Sequence, residues 1–212
     1  MKAIKITAAL FLVLCLFSMC KKDSKNGSNT PNQTYYVKGT LNGEALNWQV
    51  PADQSTYVVG SSSSLSNNQG DISGGITALV SASAGFQPQL GVEFKTFNKG
   101  PNDDATTVFN NFVNTGSWAF ASTLDYTVGT KSIVIYYTDN SGNQYSSIGS
   151  QSGSSFNVLT VTPVTGSAYN IDPGLKIKLT FNCKLYPVSG TGSAITITNT
   201  EATVFLDNLL LD

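Results

Sequence analysis

Residues 175–186, LKIKLTFNCKLY, alternate apolar and polar without a miss. Only an extended strand sends successive side chains to opposite faces, because its side-chain period is two. Leu175, Ile177, Leu179, Phe181, Cys183 and Leu185 share one face; Lys176, Lys178, Thr180, Asn182, Lys184 and Tyr186 share the other. A strand this long and this one-sided needs a sheet with one face packed and one face wet. That excludes an all-helical fold.

The rest of the chain agrees. Residues 35–50, YYVKGTLNGEALNWQV, carry Asn42-Gly43 between two alternating runs, which predicts a two-residue hairpin turn. That turn pairs Leu41 with Glu44, Gly39 with Leu46, Val37 with Trp48 and Tyr35 with Val50. Tyr35, Val37, Leu41, Leu46, Trp48 and Val50 then face the core, while Tyr36, Lys38, Thr40, Ala45, Asn47 and Gln49 face away. Along residues 90–97, Leu90, Val92 and Phe94 point inward, with Glu93 and Lys95 outward. Residues 133–137, IVIYY, are apolar on both faces and predict a central or doubly covered strand. Asp139-Asn140-Ser141-Gly142 turns the chain into 144–148. The phase slips between Val158 and Leu159, which predicts a bulge. Ile195 and Ile197, then Val204 and Leu206, mark a closing strand over 195–206. Residues 61–70, SSSSLSNNQG, read as a polar loop without a phosphate-cradling pattern.

One segment departs from period two. Ala105, Val108, Phe109, Phe112 and Val113 recur at helical spacing after Pro101-Asn102-Asp103-Asp104, predicting a short helix over 104–113. Many strands, polar turns and one short helix predict an all-β domain. Its architecture is a two-sheet antiparallel β-sandwich, jelly-roll or immunoglobulin-like, or alternatively a partly closed β-barrel.

Composition narrows the chemistry. All 12 cations are Lys; the chain has no His and no Arg. That removes Ser-His-Asp triads, Cys-His pairs, imidazole metal ligands and guanidinium clamps. A formal net charge of -1 also argues against nucleic acid, whose binding needs clustered cations.

The N-terminus reads as targeting sequence. Lys2 and Lys5 precede an apolar run from Ile6 to Phe17, the right length for a secretory signal and too short for a bilayer span. The run ends at Leu16-Phe17-Ser18-Met19-Cys20 and turns polar at Lys21-Lys22-Asp23. This resembles a bacterial lipoprotein lipobox, although Met19 stands where Gly, Ala or Ser is usual. The resemblance implies cleavage after residue 19 and lipidation of Cys20. Residues 20–33, CKKDSKNGSNTPNQ, read as a flexible tether and 34–212 as one domain. With Cys15 removed and Cys20 acylated, Cys183 has no disulfide partner and is expected buried and reduced.

Other stretches carry a wider resemblance. Cys20-Lys21-Lys22-Asp23, Lys38-Gly39-Thr40-Leu41-Asn42-Gly43 followed by Trp48, Tyr136 to Gly142 leading to Tyr145-Ser146-Ser147, and Thr180-Phe181-Asn182-Cys183 resemble Bacteroidota outer-membrane lipoproteins. These motifs are turn and core residues rather than chemistry. The resemblance implies a β-sandwich domain held at the outer membrane by its lipid, at the cell surface or the periplasmic face. Its families are of undefined function.

Candidate chemistry is sparse. Paired carboxylates for glycoside hydrolysis need neither His nor Arg. The only Glu are Glu44, beside a turn, Glu93, read as a solvated ion pair with Lys95, and Glu201. Asp103 and Asp104 read as acids at a helix start. Asp139 to Asn143 offers oxygen ligands but lacks the length of a calcium loop, so a hairpin turn accounts for it. Sugar stacking needs outward aromatics. Tyr36 and Tyr186 fall on outer faces and Phe97 is a third candidate, whereas Trp48 and Trp118 read as core. Cross-strand pairing or a covering loop also accounts for the two tyrosines. The sequence predicts a non-enzymatic binding or structural module with no cofactor and no metal. Its partners are the membrane, through the lipid, and a glycan or another envelope protein. The alternative is a lipid-anchored glycan hydrolase using paired carboxylates.

Overall fold

The computed structural model describes residues 35–51, 54–66, 69–79, 86–123, 131–164 and 173–208. The signal segment, the tether and Cys20 lie outside the described residues. The strands are β1 (Tyr36–Leu41), β2 (Glu44–Gln49), β3 (Tyr57–Ser66), β4 (Gln69–Ala78), β5 (Gln89–Asn98), β6 (Gly116–Ser117), β7 (Ala119–Phe120), β8 (Ser132–Thr138), β9 (Gln144–Ser146), β10 (Ser155–Val164), β11 (Gly174–Pro187) and β12 (Ile195–Asp207), with one helix, α1 (Ala105–Asn110). The domain is all-β and antiparallel, apart from the short parallel pairing of β7 with β8.

The twelve strands form one sheet, ordered β2-β1-β12-β11-β9-β8-β5-β4-β3, with β10 also on β11. Its two halves meet at a corner, where only Tyr186 and Pro187 of β11 pair with β9. From there they fold over one another. At the far side Asp207 N–H donates to Ser61 Oγ at 2.9 Å, so the end of β12 reaches β3. Two facing half-sheets that nearly close match the partly closed barrel more nearly than two separate sheets.

The N-terminal hairpin forms in the expected register, Leu41 with Glu44 through Tyr36 with Gln49. Asn42 and Gly43 take φ of 50° and 89°, the left-handed pair that a two-residue turn requires. On β11 every expected inward residue is buried, Cys183 included. The slip near Leu159 is a bulge against β11, and Ile133, Val134 and Ile135 are all fully buried. Helix α1 is shorter than the periodicity suggests: Asp104 caps it and the chain turns tightly through Phe112.

The core runs between the half-sheets. Phe94 meets Trp118, Phe156 and Phe112 edge-on at 5.2, 6.1 and 6.5 Å. Trp48 is partly buried and stacks on Tyr57 at 5.9 Å.

Three readings need correction. The described part of residues 61–70 is not a loop: 61–66 complete β3 and 69–70 begin β4. Ser side chains fit an edge strand here because they bond across the hairpin, with Ser62 Oγ 2.7 Å from Ser73 Oγ. Phe97 is not outward. A bulge between Gly70 and Ile72 sets Asp71 against both Lys95 and Thr96, and Thr96 takes φ 72°. The extra residue reverses the alternation, so Phe97 is fully buried and meets Phe112 at 5.2 Å. Nor is the Glu93–Lys95 pair solvated, because Lys95 is 2% exposed.

Candidate functional site

The outer face of the β1-β12-β11-β10 half-sheet gathers polar side chains in register. Tyr36 lies opposite Thr203, which lies opposite Lys178; Glu201 lies between Lys38 and Thr180. The Tyr36 hydroxyl donates to the Glu201 carboxylate. Lys178 Nζ reaches the other Glu201 oxygen at 3.2 Å, and Lys38 Nζ sits 5.2 Å from the Tyr36 ring centre. The Tyr36 hydrogen bond and Lys178 outweigh slight burial and hold the Glu201 carboxyl below its ordinary range. Burial and the same carboxylate push the Tyr36 phenol up. Tyr36 is therefore a neutral donor to an ionised acceptor, its ring held in one orientation.

Glu201 also lines an open cleft of about 260 Å³ with Ser155, Thr180, Phe181, Asn182, Asn199 and Thr200. A second irregularity builds this cleft. Asn199 takes φ 50° and β12 bulges there against β1 and β11. Asn182 Oδ1 accepts from Asn199 N–H at 2.6 Å, and Asn182 Nδ2 donates to Ser155 Oγ at 3.2 Å. The result is a row of hydroxyl, amide and carboxylate groups beside one fixed aromatic ring.

Tyr186 is not part of this group. It lies eight residues along β11 from Lys178, roughly 26 Å away at the rise of a strand. Its hydroxyl donates to the Ser150 carbonyl at 2.7 Å, and its ring packs on Gly149.

The other acids sit elsewhere. Asp104 caps α1 through Thr107 N–H at 2.7 Å, and Asp103 accepts from Gly100 N–H at 2.8 Å. Asp139 Oδ1 accepts from the backbones of Ser141 and Asn143, and Oδ2 from Asn143 Nδ2, all within 2.9 Å. Both of its oxygens serve the turn. Among the described residues, no three Cys, Asp or Glu gather as a metal site.

One acid cluster was not foreseen. On the outer face of β4, β5 and β8, Lys95 Nζ lies 2.7 Å from Asp71 Oδ2 and 2.8 Å from Glu93 Oε1. Tyr136 hydrogen-bonds to Glu93. Burial pushes the Glu93 carboxyl up despite Lys95. Burial and the nearby Glu93 charge also raise the Tyr136 phenol. For Lys95, burial acts downward, but hydrogen bonds to Asp71 and Glu93 win and raise it. Asp71 escapes a sequence reading because it sits in the Ser- and Gly-rich hairpin that looks like a loop. Its one signal is position: an acid three residues ahead of Gly74, at the start of Ile72 and Ile76 alternation.

The fold and these faces define an all-β domain with polar outer faces. Comparison with family models, curated proteins and solved structures finds no match for this chain.

Proposed function

We propose that this protein is a lipid-anchored cell-envelope protein whose domain is a non-enzymatic binding module, with glycan as the ligand class. The observation that supports the reading is the Tyr36 ring, fixed by Glu201 beside an open cleft of hydroxyl, amide and carboxylate groups. Sugars present C–H faces to aromatic rings and hydroxyls to such groups. A glycan array followed by titration of the best ligand tests it. Tyr36→Ala and Glu201→Ala are each expected to weaken binding about tenfold, equivalent to about 1 kcal/mol or somewhat more. Tyr186→Ala is expected to leave it unchanged. Binding untouched by the Tyr36 and Glu201 changes removes this face as the site.

The hydrolase alternative draws less support. A glycosidase needs two carboxylates across a substrate-sized gap. Asp71 and Glu93 come together, but the Lys95 ammonium fills the space between them. The 260 Å³ cleft holds one carboxylate, Glu201.

Anchoring rests on Cys20 and the apolar run before it. Among the described residues no helix is long and apolar enough to cross a membrane. Acyl chains on Cys20 would supply the attachment, two or more being enough for stable binding. Cys20→Ala is expected to move the protein out of the detergent-extracted outer-membrane fraction and to remove the acyl mass. Unchanged fractionation at unchanged mass excludes lipidation at this residue.

A further inference from the structure

The Asp71–Lys95–Glu93 cluster holds a primary amine against one carboxyl group with a second carboxyl on the same nitrogen. Lys95 is 2% exposed, and it is the only lysine among the described residues that is buried. Its side chain is 3% exposed, with Asp71 at 16% and Glu93 at 20%. Fully buried Val134 lies directly opposite Glu93, and Ser132, also buried, lies opposite Lys95. Burying separate charges in such a place is costly, and an uncharged product with the same contacts is favoured.

The geometry is directed as well as close. The β4–β5 bulge sets Asp71 against Lys95 and Thr96 together. Asp71 Oδ2 faces the amine at 2.7 Å, while Oδ1 accepts from the Thr96 backbone N–H at 3.3 Å. One carboxyl oxygen is thus held by a donor while the other lies beside the nucleophile. Thr96 is a β-branched residue at φ 72°, a conformation that persists only where the surroundings impose it.

We propose that Lys95 and Asp71 become joined by an intramolecular isopeptide bond, with Glu93 carrying the proton between them. Glu93 removes a proton from the Lys95 ammonium. The freed Nζ lone pair attacks Asp71 Cγ, and the new C–N bond forms as charge develops on Oδ1, facing the Thr96 N–H. The C–Oδ2 bond then breaks. Glu93 passes the first proton to the leaving oxygen, then takes the second proton that Nζ sheds as the amide forms and delivers it to the same oxygen, so that one water departs. An ammonium and a carboxylate give an amide and water, so net charge is unchanged and no oxidant or outside reactant is needed. Holding both groups in contact gives an effective concentration on the order of 10⁵ M or more, which makes amide formation between unactivated groups accessible. The bond closes the 71–95 segment and ties β4 to β5 covalently. Cys183 is the one cysteine among the described residues and is free. The isopeptide would give a domain without a disulfide there the same kind of restraint on its unfolded chain.

Tryptic peptide mass mapping of the full-length protein tests the bond directly. Between Lys38 and Lys95 there is no other lysine or arginine, and the next lysine is Lys99. The free chain must yield peptide 39–95. The bonded chain cannot be cut after Lys95 and must yield 39–99, lighter by one water, with fragment ions showing the closed loop. Recovery of 39–95 at full mass overturns the proposal. So does 39–95 lighter by one water, which marks a cyclised aspartate instead. Asp71→Ala is expected to restore cleavage after Lys95. Glu93→Gln is expected to do the same, and full bonding in that variant would overturn the proton-carrying role of Glu93. Should either variant fail to fold, the wild-type map still decides the matter.

Discussion

Cys183 sits on the core face of β11 between Phe181 and Leu185 and is 4% exposed. Burial pushes its thiol up to about 12. At pH 8 that leaves roughly one ten-thousandth of it as thiolate, the form that reacts. Native protein should therefore label at Cys183 only on the timescale of unfolding, and denatured protein at once. Peptide mapping after timed exposure to a thiol reagent measures this, and rapid native labelling would contradict the burial. Cys183 and Tyr36 were legible because each belongs to an unbroken alternating run. Tyr36 faces outward opposite Gln49, as expected. Its acceptor was not legible, since Glu201 lies 165 residues away and only the pairing of β1 with β12 brings them together. Phe97 was misread because of the bulge at Thr96, and a one-residue bulge leaves no signature in hydrophobic periodicity when the extra residue is a threonine. Lys95 lies on the face expected, but its second partner, Asp71, comes from another strand and was not legible.

At the level of elements, that bulge is a source of strain as well as a change of phase. Thr96 at φ 72° carries a side chain in a region that glycine occupies freely. Its Oγ1 is buried and has no hydrogen-bond partner among the described residues. Thr96→Gly removes both costs and keeps the N–H that Asp71 accepts from. It is expected to raise stability by about 1 kcal/mol, less what glycine loses in chain entropy, seen as a higher urea midpoint at an unchanged slope. A clear loss of stability would mean that the Thr96 side chain makes contacts that outweigh the strain. Elements with one strong local signal were the readable ones: the Asn42-Gly43 turn, the β11 alternation, the capped helix. The β3–β4 hairpin was not readable. Ser61, Ser62 and Ser73 resemble loop residues by composition, and they become strand residues only through bonds to each other across the hairpin. On the inward face Gly74 interrupts the Ile72–Ile76 alternation, which hides the period.

For the whole molecule, Gly74 has a reason that only closure supplies. The end of β12 lies against β3 and β4, completing the near-barrel that the corner at β11 and β9 begins. A Cβ at Gly74 would meet Leu206 Cδ2 at 3.0 Å and would press harder still on the Phe205 carbonyl oxygen. A backbone atom cannot rotate away as a side-chain tip can. Gly74→Ala must therefore push β12 off β4 or bend β4 away from β5. We expect a loss of about 1–3 kcal/mol, the usual range for overpacking, with a lower urea midpoint. In an open two-sheet sandwich with space above Gly74, the same change would be neutral. It could even stabilise, by restricting the unfolded chain by about 0.4–1 kcal/mol. The sign of the shift therefore reports on the architecture itself. A destabilised Gly74→Ala protein places β12 against β4 in solution, and a neutral or stabilised one means the two half-sheets stand apart at that edge.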